Sequence, residues 1–492
     1  MSPRYDVAIV GLGPTGATLA AILGDHGLRV LVLDREPALY DLPRAVHFDD
    51  EVMRVFQSIG CADALAQKVI RNPGMRFVDG DGRVLVDWPR PQAITDLGWH
   101  ASYRFHQPDL ERVLRAALTR RRSVEICLGR QVTAIEEDAT GATLHHQPRA
   151  GGPGSHDRAR YVIGCDGARS IVAAHIDAGR DRAGFEQRWL VIDLCLRRPR
   201  PDLGDLTVQF CDPATPATYC RNPGNRRRWE FALSPGEDGI EMHQPAAVWR
   251  RLARWITPED ADLERAAVYT FKSENARCWA TDRIAIAGDA AHLMPPFLGQ
   301  GMCAGIRDAA NLAWKLAALC RGRGDRTLLQ SYQAERRSHV AAYIARAVEM
   351  GAVINRLQSA PAGPDPVAMK SLDIPLGDGG APWRSAGPHT GKPARQIRLR
   401  NGVRIDDWAG HRPLAISRTP IAPLPGLACL DAATAPETAP ETAEYLDRYG
   451  ADAVLIRPDR ILHATEAGPD AGERLLARNA AFLGLFAGQS VS

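Results

Sequence analysis

Val7-Ala8-Ile9-Val10-Gly11-Leu12-Gly13-Pro14-Thr15-Gly16 is the stretch whose reading decides the fold. Four apolar residues without alternation predict a strand buried on both faces. Leu19, Ile22 and Leu23 follow at helical spacing, and Val30-Leu31-Val32-Leu33 predicts a second strand closing at Asp34. The result is a β-α-β unit with GxGxxG at its first turn and an acid 23 residues after Gly11. Glycines at 11, 13 and 16 permit a tight turn and close backbone approach. The helix N-terminus opposes pyrophosphate charge, and an acid accepts from ribose hydroxyls. This context predicts a dinucleotide site, with Thr15 inside the turn. The spacing alone does not choose FAD or NAD(P), although Asp34 argues against a 2′-phosphate even with Arg35 beside it.

Working outward, the chain has 492 residues, with 61 Lys+Arg against 58 Asp+Glu and a formal charge of +3. That balance speaks against nucleic acid or an anionic membrane as the main partner. Length predicts about three domains, and 35 Pro with 44 Gly exclude wholesale disorder. No window approaches ~18 uninterrupted apolar residues, so no membrane-spanning helix is expected. Met1-Ser2-Pro3-Arg4-Tyr5 runs straight into the first strand, which predicts no cleaved leader. Ten scattered cysteines without Cys-x-x-Cys or metal-ligand spacing predict reduced thiols, no metal site and a cytoplasmic protein.

Residues 108–118 predict a helix with proline in its first turn, and Gly151-Gly152-Pro153-Gly154-Ser155 a turn between strands. Between about 185 and 275 short strands dominate: Trp189–Leu194, Leu206–Phe210 and Trp229–Leu233. They predict an antiparallel sheet inserted into an α/β domain. Arg283–Ala287 restores the α/β texture, with helices around 305–320 and 326–357. The fold class is therefore α/β (α+β overall). The expected domains are a discontinuous Rossmann-like FAD-binding domain (1–75, 100–182, 276–357) and an antiparallel substrate sheet (76–99, 183–275). A Pro/Gly/Ala/Ser-rich linker (358–393) and a C-terminal unit (394–492) follow. The tandem Ala435-Pro436-Glu437-Thr438 and Ala439-Pro440-Glu441-Thr442 reads as a solvated loop.

Two later motifs each set an Asp beside Gly at the end of an apolar strand: Tyr161-Val162-Ile163-Gly164-Cys165-Asp166-Gly167, and Ile284-Ala285-Ile286-Ala287-Gly288-Asp289-Ala290-Ala291-His292. The second continues through Pro295-Pro296 to Gly299-Gln300-Gly301-Met302, where a helix opens whose positive end suits negative charge on a flavin ring. With these three motifs in order, residues 1–350 resemble the class A flavoprotein monooxygenases, the single-component aromatic hydroxylases. Pro43-Arg44-Ala45-Val46, Phe105-His106-Gln107-Pro108, Arg228-Trp229-Glu230-Phe231 and Gly305-Ile306-Arg307-Asp308 resemble the 3-(3-hydroxyphenyl)propionate hydroxylase branch. Tyr449-Gly450-Ala451 and Val454–Arg460 resemble that branch's thioredoxin-like tail, here without Cys-x-x-Cys and so read as structural.

The resemblance implies FAD as cofactor, NADH or NADPH as cosubstrate, and O2. It places the pyrophosphate on Gly11, Gly13 and Gly16, and the adenosine ribose on Asp34 and Arg35. Arg44 and Gln107 would contact the phosphate or ribityl region, Val132 the adenine through its backbone, and Asp289 the ribityl or pyrophosphate. Asp166, Gly167 and Gly288 complete the two acid-glycine turns. Pro295 and Pro296 would stiffen the loop beside the ring, and Gly299, Gly301 and Met302 would face it. Hydride reduces the flavin, O2 adds at C4a, and the hydroperoxide delivers oxygen to a phenolic ring. No second GxGxxG is present, as the family leads one to expect. A base for the phenol is expected, with His47, His106, His243 and His292 as candidates. On the inserted sheet, alternation pairs Gln209 with Thr207 and Tyr219 with Arg221. Arg221 suits a substrate carboxylate, although Arg226-Arg227-Arg228 reads as a basic solvated edge. Cys303 and Ala173 stand where the family usually has Asn and Arg. The expected partner is a small aromatic molecule, the expected state monomer or homodimer. Competing readings are a Baeyer–Villiger or epoxidising oxygenase on a polycyclic substrate, and a flavin-binding protein or uncoupled oxidase. Halogenation is disfavoured because Trp-x-Trp-x-Ile-Pro is absent.

Overall fold

A computed structural model describes residues 3–234, 236–237, 239–359, 374–376, 389–431 and 439–487. Most of the expected linker and the first half of the Ala-Pro-Glu-Thr tandem lie outside the described residues.

The first sheet is built on the opening β-α-β unit. Strand Tyr5–Val10 lies parallel between Val30–Asp34 and Ser155–Gly164. Val124–Leu128 extends the sheet on one side and Ile284–Ile286 on the other, both parallel. Gly141–Pro148 and Arg130–Asp138 add an antiparallel flap, joined to Ser155–Gly164 through the expected glycine-rich turn. Val7, Ala8 and Ile9 have no exposed surface, as the unbroken apolar run requires. Helices Pro14–Asp25 and Gly301–Cys320 cover one face and meet closely, because a Cβ on Gly305 would collide with Thr15.

The second sheet has eight strands. Its order is His292–Leu293, then a long antiparallel pair, Ala261–Ala276 with Arg180–Leu196, then Arg226–Ala232, Ala217–Arg221, Thr207–Phe210, Gly74–Val78 and Val84–Pro89. The long pair extends well beyond the apolar Trp189–Leu194. Its polar end crosses a register shift between Arg182 and Glu186, where solvent exposure erases the hydrophobic signal. Arg226–Arg228 is corrected: it starts a strand with Arg227 and Arg228 buried, Arg228 opposite Asp193 and Arg227 donating to the Gly224 and Arg226 carbonyls.

The C-terminal unit has a four-stranded mixed sheet, ordered Ala428–Asp431, Leu414–Ser417, Ala453–Ile456, Leu462–Glu466. It docks through buried charge. Arg457 donates to Glu335 at 2.9 and 3.0 Å, and Lys315 to the same carboxylate at 3.0 Å. Arg54 pairs with Asp406 across the other side of the junction. Cys429 is this unit's one cysteine.

Candidate functional site

A cavity of about 1010 Å³ runs from the C-terminal ends of the parallel strands to the face of the second sheet. That is the upper end of the ~300–1,000 Å³ usual for small-molecule sites.

The three opening glycines are glycine for different reasons. Gly11 has φ +102°, and a Cβ there would run into the Cys165 carbonyl. A Cβ on Gly16 would run into the carbonyl of Gly11. A Cβ on Gly13 would meet nothing within 4 Å, and Gly13 lines the cavity. No protein atom demands glycine at 13, so the bare backbone there fits a ligand that approaches closely. Gly167, at φ +81°, is similarly bare on the same cavity. Asp34 reaches the wall with its carboxylate fixed by the N–H groups of Leu12 (2.5 Å) and Glu36 (2.7 Å). Arg35, Arg44, Val132, Asp166 and Asp289 are also on the wall. Asp166 additionally caps the short helix Ile171–His175, accepting from the Ser170 hydroxyl and the Ile171 N–H.

Four expected contacts lie behind this wall. Gln107 is buried; its Oε1 accepts from the N–H of Arg44 (3.0 Å) and Ala45 (2.7 Å), so it shapes the Arg44 loop. Thr15 packs against Gly288 and Gly305, and Gly16 sits beneath Gly11. The Gly288 N–H donates to Asp308. Asp308, with no exposed surface, also accepts from His292 Nε2 at 2.7 Å and Arg336 Nε at 2.8 Å. Burial raises its pKa, but His292 and Arg336 outweigh burial and bring it to about 2. His292 as a base is thereby corrected: it is spent on Asp308, stacked on Trp279, and away from the cavity wall.

The loop Pro295–Met302 borders the cavity midway, with Pro295, Pro296, Gly299, Gly301 and Met302 on the wall. A directed hydrogen-bond chain fixes it. Gly74 N–H donates to Asn72 Oδ1, so the Asn72 amide N–H₂ donates to Ser102 Oγ at 2.9 Å. Ser102 O–H is then free to donate to His47 Nε2 (2.8 Å), leaving His47 Nδ1–H for the Gly299 carbonyl (3.3 Å). His47 lines the cavity, yet both ring nitrogens are committed to protein. Burial, then Arg104, pushes its pKa down to about 4. Gly299 at φ +65° leaves no room for a Cβ beside His47. Gln300 and Arg307 tie the loop to Asp49, at 3.1 and 2.7 Å. Cys303 is buried, its thiol toward the His47 and Gly299 carbonyls, and Ala173 lies in the helix that Ser170 caps. Of the other histidines, His106 is bound to Asp109 and His243 accepts from Val268 N–H.

The second sheet supplies the other wall. Register places Val191, Glu230, Thr218 and Gln209 in one row across it, all facing the cavity. Gln209 Oε1 accepts from the Thr218 hydroxyl at 2.7 Å. Tyr219 and Arg221 are corrected. Alternation turns them to the opposite face, where Tyr219 O–H donates to Gly204 and packs on Trp229, while Arg221 pairs with Asp205. Charge enters from elsewhere. Arg228, fully engaged, bonds Asp193 (2.7 and 3.0 Å) and the carbonyls of Pro43 and Arg44. Arg104 donates to the Thr207 hydroxyl, and Arg90 lies 4.0 Å over the Trp88 ring. Neither Arg90 nor Arg104 has a carboxylate within ion-pair distance among the described residues. Arg90, Arg104, Thr218 and Glu230 escaped the sequence reading. For Glu230 and Thr218 the signal was present: both are at even spacing from wall residues once the strands are registered through Gln209.

Comparison with known proteins then places the chain. A probable NADH-specific resorcinol 4-hydroxylase of Rhodococcus jostii is 44% identical over 350 residues, 71% of this chain and 65% of the relative. A 3-(3-hydroxy-phenyl)propionate/3-hydroxycinnamic acid hydroxylase of Mycolicibacterium smegmatis is 40% identical over 354 residues, 71% of this chain and 61% of the relative. The chain thus spans less than two thirds of the length of these relatives. Among solved structures, aklavinone-11 hydroxylase in a ternary complex with FAD and aklavinone superposes with a TM-score of 0.78. It is 22% identical and covers 99% of both chains. The flavin-dependent monooxygenase PieE, in complex with FAD and substrate, gives 0.77 at 19% identity, over 98% of this chain and 100% of its own. At such identities the likeness shows the fold. The FAD binding domain family matches residues 4–347, which carry the GxGxxG turn, both acid-glycine motifs and the loop between the two walls, and the chain belongs to that family.

Proposed function

We propose that the protein is a FAD-dependent monooxygenase that uses NADH or NADPH and O2 to hydroxylate a small phenolic substrate. The observation that carries this reading is one continuous cavity. It joins a backbone-lined dinucleotide wall to a polar sheet face, with Pro295–Met302 at the junction. The names of the Rhodococcus and Mycolicibacterium relatives support a phenolic substrate, and the former makes NADH the first reductant to try. The protein's ten scattered cysteines would stay reduced in the cytoplasm, where we place the enzyme. It would act as monomer or homodimer, without nucleic acid.

Gly11 and Gly13 would hold the pyrophosphate and Asp34 the ribose, Arg44 would meet phosphate charge, and Asp289 the ribityl chain. When bound, FAD supplies hydride acceptance and oxygen activation. The chain supplies position and charge. His47 holds Gly299 and with it the N-terminus of helix Gly301–Cys320, whose free N–H groups oppose negative charge at the loop. Met294, Phe297 and Trp189 shut water from the junction. Thr218 and Gln209 offer hydrogen bonds to a ring hydroxyl.

The test is anaerobic reduction of the FAD-loaded protein by NADH, then NADPH, with resorcinol, 3-(3-hydroxyphenyl)propionate and no ligand. Faster bleaching with a phenol, followed by hydroxylated product on admitting oxygen, is the expected result. Equal bleaching in every case, with peroxide and no product, would make it an uncoupled oxidase.

A further inference from the structure

We propose that Glu230 takes the proton of the phenolic hydroxyl, with Arg104 as the cation beside the phenolate so formed. The inference rests on the monooxygenase reading above and assigns a residue that reading leaves open.

The cavity needs a group that accepts a proton, and its histidine is not that group. His47 receives Ser102 O–H on one nitrogen and gives its proton to Gly299 on the other. The acids on the wall divide clearly. Asp34, Glu36, Asp166 and Asp289 belong to the dinucleotide wall, and the first and third of these carboxylates are spent on backbone and hydroxyl donors. Among the described residues, Glu230 alone puts a carboxylate on the sheet wall. It stands in the middle of the cavity-facing row, between Val191 and Thr218.

Its surroundings leave it poised. The closest cation is Arg228, 3.6 Å away and beyond hydrogen-bond distance. That guanidinium already serves Asp193 and the Pro43 and Arg44 carbonyls. The charged groups acting on Glu230 are Arg228 on its own strand, Asp193 on the adjoining strand and Arg104 from the strand Ser102–Arg104. Burial raises its proton affinity above that of a free glutamate, while the two arginines only partly restrain it. A carboxylate shifted upward is a better general base near neutral pH. In the step, the phenolic O–H bond breaks, its proton forms a carboxylic acid on Glu230, and the electron pair stays on the phenolate oxygen. Net charge within the site is unchanged, and Arg104, with one hydrogen bond to Thr207, retains donors for that oxygen.

The experiment uses FAD-loaded protein and a nitrophenol, whose absorbance reports its ionisation. Wild type is expected to ionise the bound nitrophenol about one pH unit or more below its free midpoint, with Arg104→Gln abolishing that shift and Glu230→Gln, which removes a neighbouring negative charge, keeping or deepening it. With resorcinol, NADH and oxygen, Glu230→Gln is expected to cut product formed per NADH by roughly 100-fold while flavin reduction is retained. Unchanged coupling in Glu230→Gln, or a nitrophenol midpoint that does not move in Arg104→Gln, overturns the proposal. If wild type neither binds a phenol nor forms product, the monooxygenase reading itself fails, whatever the variant does. Should Glu230→Gln lose FAD or fold, Glu230→Asp decides. It keeps the charge facing Arg228 but withdraws the carboxylate by one methylene, so full coupling with normal FAD content would overturn the proposal.

Discussion

The two walls of the cavity are made of different material. The dinucleotide wall is largely backbone: turns at Gly11–Gly13, Asp166–Gly167 and Gly288–Asp289, placed by parallel strands and helix starts. The sheet wall is largely side chains, set by alternation along antiparallel strands and by Arg90 and Arg104 reaching in. A backbone wall is specified by residue types that few other situations demand. A side-chain wall is specified by register, which depends on strands far apart in sequence. The first is therefore fixed in geometry by steric necessity, while the second can change without disturbing those turns.

The sharpest way to break this contrast is at the glycines. Gly11→Ala sets a Cβ against the Cys165 carbonyl at φ +102° and should cost about 3 kcal/mol or more, with loss of flavin. Gly13→Ala touches no protein atom, so its melting temperature without FAD should match wild type while FAD affinity falls roughly tenfold or more. Thermal unfolding with and without FAD checks both. Loss of apo stability in Gly13→Ala would mean that its bare face serves the fold and not a ligand.

Next in size is the charge beneath the wall. Asp308→Asn leaves Arg336 buried without its anion and should destabilise by about 3–5 kcal/mol. The pH dependence has a definite sign. The folded pKa of about 2 lies below the ~3.9 of an unfolded Asp, so the contribution is present above ~4 and is lost as pH falls toward 2. Its size is about 2–3 kcal/mol. Acid unfolding of wild type should therefore be steeper in this window than that of the Asn variant.

These predictions also mark what the sequence makes readable. Gly11, Gly13, Asp34 and Asp289 are legible because a strand, a turn and an acid at fixed spacing have one physical use. Asp308 carries no such mark, since a buried acid in a helix acquires meaning only once His292 and Arg336 are seen to converge on it. Tyr219 and Arg221 were assigned to the wrong face because parity along one strand is readable while the choice of face is not. Glu230 and Thr218 share the correct face, but only the pairing of Arg226–Ala232 with Ala217–Arg221 reveals it.

On the side-chain wall, Arg104→Gln should leave FAD content unchanged and weaken binding of ionisable phenols by roughly tenfold, a charged hydrogen bond being worth about 1.5–3 kcal/mol. Titration of flavin absorbance with resorcinol measures it. Loss of FAD in this variant would move Arg104 from the phenol side to the cofactor side and blur the division between the walls.

The smallest effect is expected at His47, where the walls meet. As a general base it would account for roughly 10²–10⁴ in rate, and its removal would erase an ionisation from the pH profile. Held as the Nδ1–H tautomer between Ser102 and Gly299, and neutral above about pH 4, it has no proton to exchange in the working range. His47→Gln keeps an amide able to reach the same two partners. It should lower turnover only about threefold, through a looser Gly299 turn, a loss of well under 1.4 kcal/mol. The pH–rate profile between about 5 and 8 should keep its shape. A hundredfold loss, or a limb missing from that profile, would make His47 part of the chemistry and would return the junction to the side-chain wall.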